Sequence, residues 1–466
     1  MSADGKRVRV VGGGLAGCEA AWQLAQRGLM VELHEQKPDK RTPAQTSDSL
    51  AELVCSNSFR SDNPENAVGL LKEEMRRAGS FLMACAAEAR VPAGDALAVD
   101  RARFATLVQE GLARQPNIAI VNGEVRALPE DGVPTLICTG PLTSDALAAS
   151  IAAACGRERL AFYDAIAPII EADSVILDED EPTPQGRGAY FMSRWDKGES
   201  ADYLNCPMDR DQYALFLAAL LESDRAVAKD FEELHYFEGC LPLEVMAERG
   251  PDTMRFGPLK PVGLEHPRTG WRAFAVLQLR KEDVHGTSYN MVGCQTRLKQ
   301  PAQKAVFAHV PALREARFLR YGAIHRNTYV DAPHVLDERN GLRARPGIFL
   351  AGQLTGVEGY VESTASGLLT AMVLADAIAG RALDVPPATT ALGGLWRHAR
   401  GILRASGNTD YSPSNIMWSM VPPVNDEHLP PLVPGKKRKK LGKGDKRKLL
   451  VDRARRDLDA WLRARA

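Results

Sequence analysis

Val8-Arg9-Val10-Val11-Gly12-Gly13-Gly14-Leu15-Ala16-Gly17 stands near the start of the chain, followed by a helical-looking stretch from Cys18 to Arg27. A short apolar run, a glycine turn and a helix in that register form the opening of a dinucleotide-binding βαβ unit. The glycines differ in what they allow. Gly12 permits the tight turn, Gly14 lets backbone approach a pyrophosphate, and Gly17 allows the helix to pack close on the strand. Gly13, Leu15 and Ala16 complete a loop that seats the pyrophosphate on a helix N-terminus, where unpaired N–H groups favour negative charge. A second strand, Met30-Val31-Glu32-Leu33-His34, ends at Glu35. Its carboxylate is placed to accept hydrogen bonds from an adenosine ribose that carries no 2′-phosphate.

The choice between FAD and a nicotinamide falls to Gly347-Ile348-Phe349-Leu350-Ala351-Gly352-Gln353. This reads as a late strand returning to the first sheet, its glycine end meeting a flavin's ribityl chain. Thr135-Leu136-Ile137-Cys138-Thr139-Gly140 reads as a third strand of the same sheet. The expected fold is therefore α/β: a discontinuous Rossmann-like FAD-binding domain with an inserted α+β domain and a basic C-terminal tail. The expected limits are 1–155 and 321–385 for the FAD-binding domain, 156–320 for the insertion and 386–466 for the C-terminal segment. Gln353 stands where many flavoproteins carry Asp; its amide can still bond a ribityl hydroxyl, without charge.

A chain of 466 residues with 45% hydrophobic content has room for two or three domains with real cores. Its eight cysteines include no C-x-x-C pair and no histidine at zinc spacing, which points to neither a disulfide framework nor a metal site. The N-terminus leads directly into the first strand, and apolar runs fall short of the ~20 residues of a membrane span. The expectation is a cytoplasmic protein that binds no membrane.

Zero net charge conceals an asymmetry. From Lys436 to Ala466 there are 14 Lys/Arg against 4 Asp/Glu, so this tail is +10 and the rest of the chain −10. A helix from Lys446 to Arg465 is expected there, with Leu449, Leu450, Leu458, Trp461 and Leu462 on one stripe. Two readings stand open: a solvated end, or a contact with nucleic-acid phosphates that gains affinity by counterion release. Elsewhere the periodicity predicts helices at 66–89, 101–114 and 146–154, and strands around 184–206 and 271–296 with a hairpin near Gly286. Pro386-Pro387 marks the exit from the nucleotide domain, and Pro422-Pro423, Pro430-Pro431 and Pro434 read as a stiff linker.

Two cysteines stand in distinctive contexts: Cys55 in Glu52-Leu53-Val54-Cys55-Ser56-Asn57-Ser58, and Cys240 in Phe237-Glu238-Gly239-Cys240-Leu241-Pro242. Either can be a thiolate nucleophile activated by nearby cations, or a small buried hydrophobe. Cys18, Cys138 and Cys294 fall inside predicted elements and read as core.

Those two strings, with Asn66-Ala67-Val68-Gly69-Leu70-Leu71-Lys72-Glu73-Glu74-Met75, Tyr203-Leu204-Asn205-Cys206-Pro207-Met208, Lys260-Pro261-Val262-Gly263-Leu264, His325-Arg326-Asn327-Thr328 and Gly356-Val357-Glu358-Gly359-Tyr360-Val361-Glu362-Ser363, resemble the folate- and FAD-dependent tRNA (uracil-5-)-methyltransferase family. The resemblance runs from the glycine loop to about Ala379, and more loosely through Tyr411-Ser412-Pro413-Ser414-Asn415. It implies formation of 5-methyluridine in the T-loop of tRNA, with 5,10-methylenetetrahydrofolate as carbon donor, FAD as cofactor and NAD(P)H as reductant. It also implies Cys240 as the nucleophile at uracil C6 and Cys55 as the base at C5, with the order within the pair open. His325 or Tyr360 would supply a flat partner for the pterin, and Arg326, Asn327 and Glu358 would orient it. No second G-x-G-x-x-G occurs, so the nicotinamide would visit without its own domain. Three other readings are a wobble-uridine-modifying flavoenzyme, whose chain would be much longer, a small-molecule FAD oxidoreductase, which leaves the basic tail unexplained, and a non-catalytic FAD-holding RNA-binding protein, which the paired cysteine contexts disfavour.

Overall fold

The glycine loop leads from the first strand into helix Leu15–Gln26, which crosses to the second strand of a five-stranded parallel sheet. In the computed structural model its order is Ile348–Leu350, Thr135–Ile137, Arg7–Val11, Met30–Glu35 and Ile118–Asn122. The structure describes residues 6–42, 44–156, 160–179, 188–193, 203–225, 241–281, 287–402, 413–424 and 443–465, with backbone alone at 160–166, 323–327 and 443. The return strand lies against Thr135–Ile137, so the sheet is closed by residues from far apart in the chain, as the α/β reading requires. Ile118–Asn122 occupies the opposite edge and was not anticipated; its side chains are mostly exposed, so it lacks the alternation that marks a half-buried strand.

Two helices cross over this sheet at the dinucleotide end. A Cβ on Gly17 would lie 1.8 Å from the Gly12 carbonyl oxygen, and one on Gly367 would lie 2.2 Å from that of Ala16. Helix Leu15–Gln26 therefore touches both the first strand's loop and the long helix Tyr360–Ile378 through backbone, which only glycine allows. Tyr360–Ile378 is 19 residues long and by length and composition alone apolar enough to cross a membrane, but 89% of its most apolar 18-residue window is buried inside the fold. It is a core helix.

Between Thr135–Ile137 and Ile348–Leu350 the chain builds a second sheet of six antiparallel strands, ordered Tyr190–Phe191, Tyr203–Met208, Ala275–Lys281, Ser288–Met291, Ile169–Glu171 and Phe318–Arg320. Helices Arg210–Glu222, Leu243–Glu248 and Gln300–Phe307 cover it, with Phe216, Leu243 and Phe307 buried in a separate core. Two long antiparallel strands, Leu160–Ile166 and Ala323–Tyr329, pair with one another alongside. The hairpin expected in 271–296 forms; its Gly286 tip lies outside the described residues.

Two expectations need correction. The helix at 66–89 is two helices, Ala67–Arg77 and Phe81–Glu88. The break is at Gly79, in the left-handed region, after which Ser80 caps the new helix. Buried Glu19 gathers the freed N–H groups of Phe81 and Leu82 and the Ser80 hydroxyl. The second correction concerns the reading of the tail as a solvated end: its terminal helix is docked, while Pro430-Pro431 and Pro434 of the expected linker lie outside the described residues. Helix Ala391–His398 follows Pro386-Pro387 directly, and its first N–H groups, on Ala391 and Leu392, donate to buried Glu74 at 2.9 and 2.8 Å. The terminal helix Lys443–Arg465 buries Val451, Ala454, Leu458 and Trp461 in the same core as the parallel sheet. Leu449, Leu450 and Leu462 of the expected stripe are only half-buried.

Candidate active site

A single cleft at the C-terminal edge of the parallel sheet is lined by Gly12, Gly14, Leu15, Ala16, Glu35, Gly140, Gly352 and Gln353. Gly13 and Gly17 stand behind it. Gly12 takes φ +104°, and a Cβ there would strike the Cys138 carbonyl at 2.7 Å, which is the tight turn read from the sequence. Gly14 is the N-cap of helix Leu15–Gln26, and a Cβ on it would meet nothing within 4 Å. The backbone is therefore bare toward the cleft where a pyrophosphate would approach a helix N-terminus. Glu35 is buried and does more than face a ribose. Its Oε2 accepts from Gly13 N at 2.7 Å and its Oε1 from Lys37 N at 3.0 Å, so it also braces the glycine loop. Cys18 braces the loop too, its thiol donating to the Gly13 carbonyl at 3.2 Å.

The far end of the cleft is made by Gly140, Gly352 and Gln353. Gly140 and Gly352 both adopt positive φ, 71° and 73°, where a side chain is strained. Gly352 N donates to Ser366 Oγ at 3.0 Å, and Gln353 Nε2 donates to Glu358 Oε1 at 2.7 Å. Gln353 is thus oriented by Glu358, which an Asp in its place could not be. The glycine arrangement, the bare helix N-terminus and the acid at the second strand fit an FAD along this cleft.

Cys55 sits where the cleft meets helix Tyr360–Ile378. Tyr360 lines the cleft, and its hydroxyl oxygen accepts from Cys55 N at 2.6 Å and Ser56 N at 3.1 Å. Burial raises the phenol's pKa, keeping it neutral. Arg101 donates to the carbonyls of Leu53 and Cys55, the latter at 3.5 Å. From the antiparallel sheet, Arg280 donates to Ser56 Oγ at 2.7 Å and Asn57 Oδ1 at 3.0 Å. The Cys55 loop is therefore clamped from two helices, through Tyr360 and Arg101, and from the antiparallel sheet, through Arg280. Arg320 completes the surroundings: burial and the neighbouring Arg101 disfavour its charge, while Tyr360, Cys55 and Glu52 support it. Arg101 and Arg320 thus place two guanidiniums around the Cys55 loop.

Behind Cys55 the same segment is anchored a second time. Arg60 has φ +63°, an uncommon conformation for a residue with a side chain. The fully buried Lys72 holds it there, donating to the carbonyls of Phe59, Arg60 and Ser61 at 2.8, 2.9 and 2.6 Å. Burial lowers that ammonium to about 7. Arg60 in turn pairs with buried Glu362, which also accepts from Ile416 N at 2.9 Å. Asn415 Nδ2 donates to the Glu358 carbonyl at 2.5 Å. The first turn of the long helix thus holds Cys55 through Tyr360 and Arg60 through Glu362.

Cys240 lies outside the described residues, and the side chains of His325, Arg326 and Asn327 do so as well. The strand that carries those three is described, and Thr328 N beside them donates to the Pro141 carbonyl at 2.7 Å, next to Gly140 in the cleft wall. Glu358 is buried behind Gln353, and Tyr360 is committed to the Cys55 loop. Cys18, Cys138 and Cys294 are buried, with burial raising their thiol pKa values. Sequence reasoning missed Arg60, Lys72, Arg101, Arg280, Arg320 and Glu362. A lysine inside an otherwise apolar helical face was the available signal for Lys72.

The chain matches the family model described as glucose inhibited division protein A over residues 7–382. Among curated proteins, it is 53% identical over 457 residues to "Methylenetetrahydrofolate--tRNA-(uracil-5-)-methyltransferase TrmFO" of Anaeromyxobacter dehalogenans strain 2CP-C, covering 98% of this chain and 96% of that one. It is 50% identical over 463 residues to the protein of the same name from Myxococcus xanthus, covering 99% and 96%. Among solved structures, two crystal forms of Aquifex aeolicus GidA superpose with TM-scores of 0.63 and 0.59 at 14% and 15% identity. They cover 85% and 82% of this chain but 70% and 65% of the Aquifex chain, a likeness of fold.

Proposed function

The chain belongs to the glucose-inhibited division protein A family and, within it, to the folate-dependent tRNA (uracil-5-)-methyltransferases, and from that membership we propose how its residues divide the work. The reaction carries the methylene carbon of 5,10-methylenetetrahydrofolate to C5 of a tRNA uracil, releases the C5 proton and reduces the carbon to methyl. FAD, when bound and reduced by NAD(P)H, supplies the two electrons. The tRNA target is a T-loop uridine, and the compartment is the cytoplasm.

Gly12, Gly13, Gly14, Leu15, Ala16 and Gly17 form the pyrophosphate loop, Glu35 meets the adenosine ribose, and Gly140, Gly352 and Gln353 take the flavin end. Uracil C5 is a poor nucleophile until a thiolate adds to C6 and turns the ring into an enolate. Cys240 makes that addition and Cys55 removes the C5 proton. Arg101 and Arg320 hold negative charge near Cys55, and Tyr360 fixes its main chain. His325, Arg326, Asn327 and Glu358 belong to the folate side, with His325 taking the pterin-facing role because the Tyr360 hydroxyl is engaged elsewhere. The domain limits given above belong to the same proposal; every strand of the six-stranded sheet lies between Ile169 and Arg320, which supports them.

The observation that carries this reading is Tyr360, one side chain that both lines the dinucleotide cleft and accepts the Cys55 amide at 2.6 Å. It brings a cysteine and a flavin cleft together with cations around them. The test is methyl transfer by Cys55→Ala and Cys240→Ala proteins with retained flavin. Both variants should lose turnover, and Cys240→Ala should also lose any covalent adduct with 5-fluorouridine-containing tRNA. Near-normal turnover by either variant would remove that residue from the chemistry.

A further inference from the structure

Seven of the nine cations of the terminal helix Lys443–Arg465 fall into two sets. One set docks the helix: Arg455 pairs with Glu73 at 2.8 Å, Arg465 pairs with Asp376 at 2.6 Å and Asp384 at 2.8 Å, and Arg453 donates to the Pro423 carbonyl at 3.1 Å. The other set faces outward. Lys446, Lys448, Arg456 and Arg463 are exposed, and among the described residues no carboxylate lies within 4.0 Å of any of them.

The direction of the helix adds to this. Glu73 meets Arg455 and Arg77 meets Asp459, so helix Ala67–Arg77 and the terminal helix run parallel. The terminal helix begins twelve residues before its contact at Arg455, the other six before Glu73. It therefore overhangs its neighbour by six residues, about 9 Å at 1.5 Å per residue. Lys446 and Lys448 stand on that overhang, and the buried residues Val451, Ala454, Leu458 and Trp461 begin only after it. From Lys446 to Arg463 the outward cations span roughly 26 Å of rigid helix.

We propose that Lys446, Lys448, Arg456 and Arg463 form a preset contact for the phosphodiester backbone of the tRNA substrate. The proposal rests on the tRNA-methyltransferase reading above. The rest of the chain carries −10, which repels RNA unless a local basic surface offsets it. Cations fixed on a docked helix need no ordering on binding, and each phosphate they meet releases a condensed counterion. Asp445 and Asp452 are also exposed on this helix and lower its net charge without cancelling it.

Truncating the tail cannot test this, because it would strip four buried side chains from the core. The experiment uses full-length holoenzyme with Lys446→Glu, Lys448→Glu, Arg456→Glu and Arg463→Glu together, and a parallel set with Gln. All four positions are exposed, so melting temperature and flavin reduction by NADPH should match the wild type. Affinity for an unmodified tRNA transcript is measured at several salt concentrations. The Glu set should bind on the order of ten- to a hundredfold more weakly, with a log–log salt slope shallower by about 0.9 for each phosphate no longer neutralised. The Gln set should show a smaller loss, and the tRNA KM should rise while kcat at saturating tRNA holds. Wild-type protein that binds tRNA without methylating it would contradict the reading of function and leave this surface intact as a tRNA contact. Wild-type methylation with unchanged affinity and slope in the Glu set would overturn the surface alone. Lost binding to phosphatidylserine vesicles with tRNA binding unaltered would overturn it in favour of a membrane.

Discussion

Tyr360→Phe removes one oxygen and leaves the ring, which packs at 5.9 Å between centroids against Phe59. The lost oxygen accepts two N–H groups, from Cys55 at 2.6 Å and Ser56 at 3.1 Å. Each such bond is worth about 1–1.5 kcal/mol net. The loop does not melt, because Arg280 still holds Ser56 and Asn57 and Arg101 still holds Leu53. The loss therefore appears as misplacement of Cys55, about 2–3 kcal/mol in all, which at 1.36 kcal/mol per decade is a roughly 30- to 150-fold fall in kcat/KM. The assay is methyl incorporation into tRNA with FAD content read from absorbance, alongside the rate of Cys55 alkylation. A fall below about threefold, or one matched by loss of FAD, would refute the assignment of Tyr360 as the residue that positions Cys55.

Gly14→Val should fold with the melting temperature of the FAD-free wild type, because the new side chain points into the cleft, and purify without yellow colour; stoichiometric FAD in that variant would sink the pyrophosphate assignment. Lys72→Met should destabilise the protein by about 2–4 kcal/mol in denaturant unfolding, since one buried and two partly buried carbonyls lose their donor, and lower kcat more than the folate KM as Arg60 relaxes; a change under about 0.5 kcal/mol would contradict this. Burial raises Glu74 to about 8 from 4.5, so the folded state holds a proton that the unfolded state has released. Its contribution to stability is full below 4.5 and lost as pH rises toward 8, at a slope of at most about 1.4 kcal/mol per pH unit. Glu74→Gln should flatten the melting-temperature profile across that window, and an unaltered slope would show that Glu74 stays ionised.

The parts of the fold legible in the sequence are those governed by local geometry. Gly12 and Gly17 are glycines because a Cβ would meet backbone, and that constraint is written at one position each. The return strand at Ile348 was readable because a glycine-flanked apolar run leaves few alternatives. Cys55 stood out for its polar context, but its clamps did not, since Arg280 and Tyr360 reach it from 224 or more residues away. Arg60 and Glu362 likewise meet across 302 residues, and no spacing rule reports such a pair. The break at Gly79 is stabilised by Glu19 on another helix, so the uninterrupted apolar pattern of 66–89 was misleading. The basic tail was read by its charge and by an apolar stripe that included Leu458 and Trp461; that Val451 and Ala454 complete the docked face became visible only against the core it covers.

Methyl transfer itself is tested by incubating purified protein with an unmodified tRNA transcript, 5,10-methylenetetrahydrofolate labelled in its methylene carbon, and NADPH, then mapping the label by nuclease digestion and mass spectrometry. The expected outcome is label in 5-methyluridine of the T-loop, dependent on folate and on bound FAD. Label at a wobble uridine, or a methyl group drawn only from S-adenosylmethionine, would contradict the assignment.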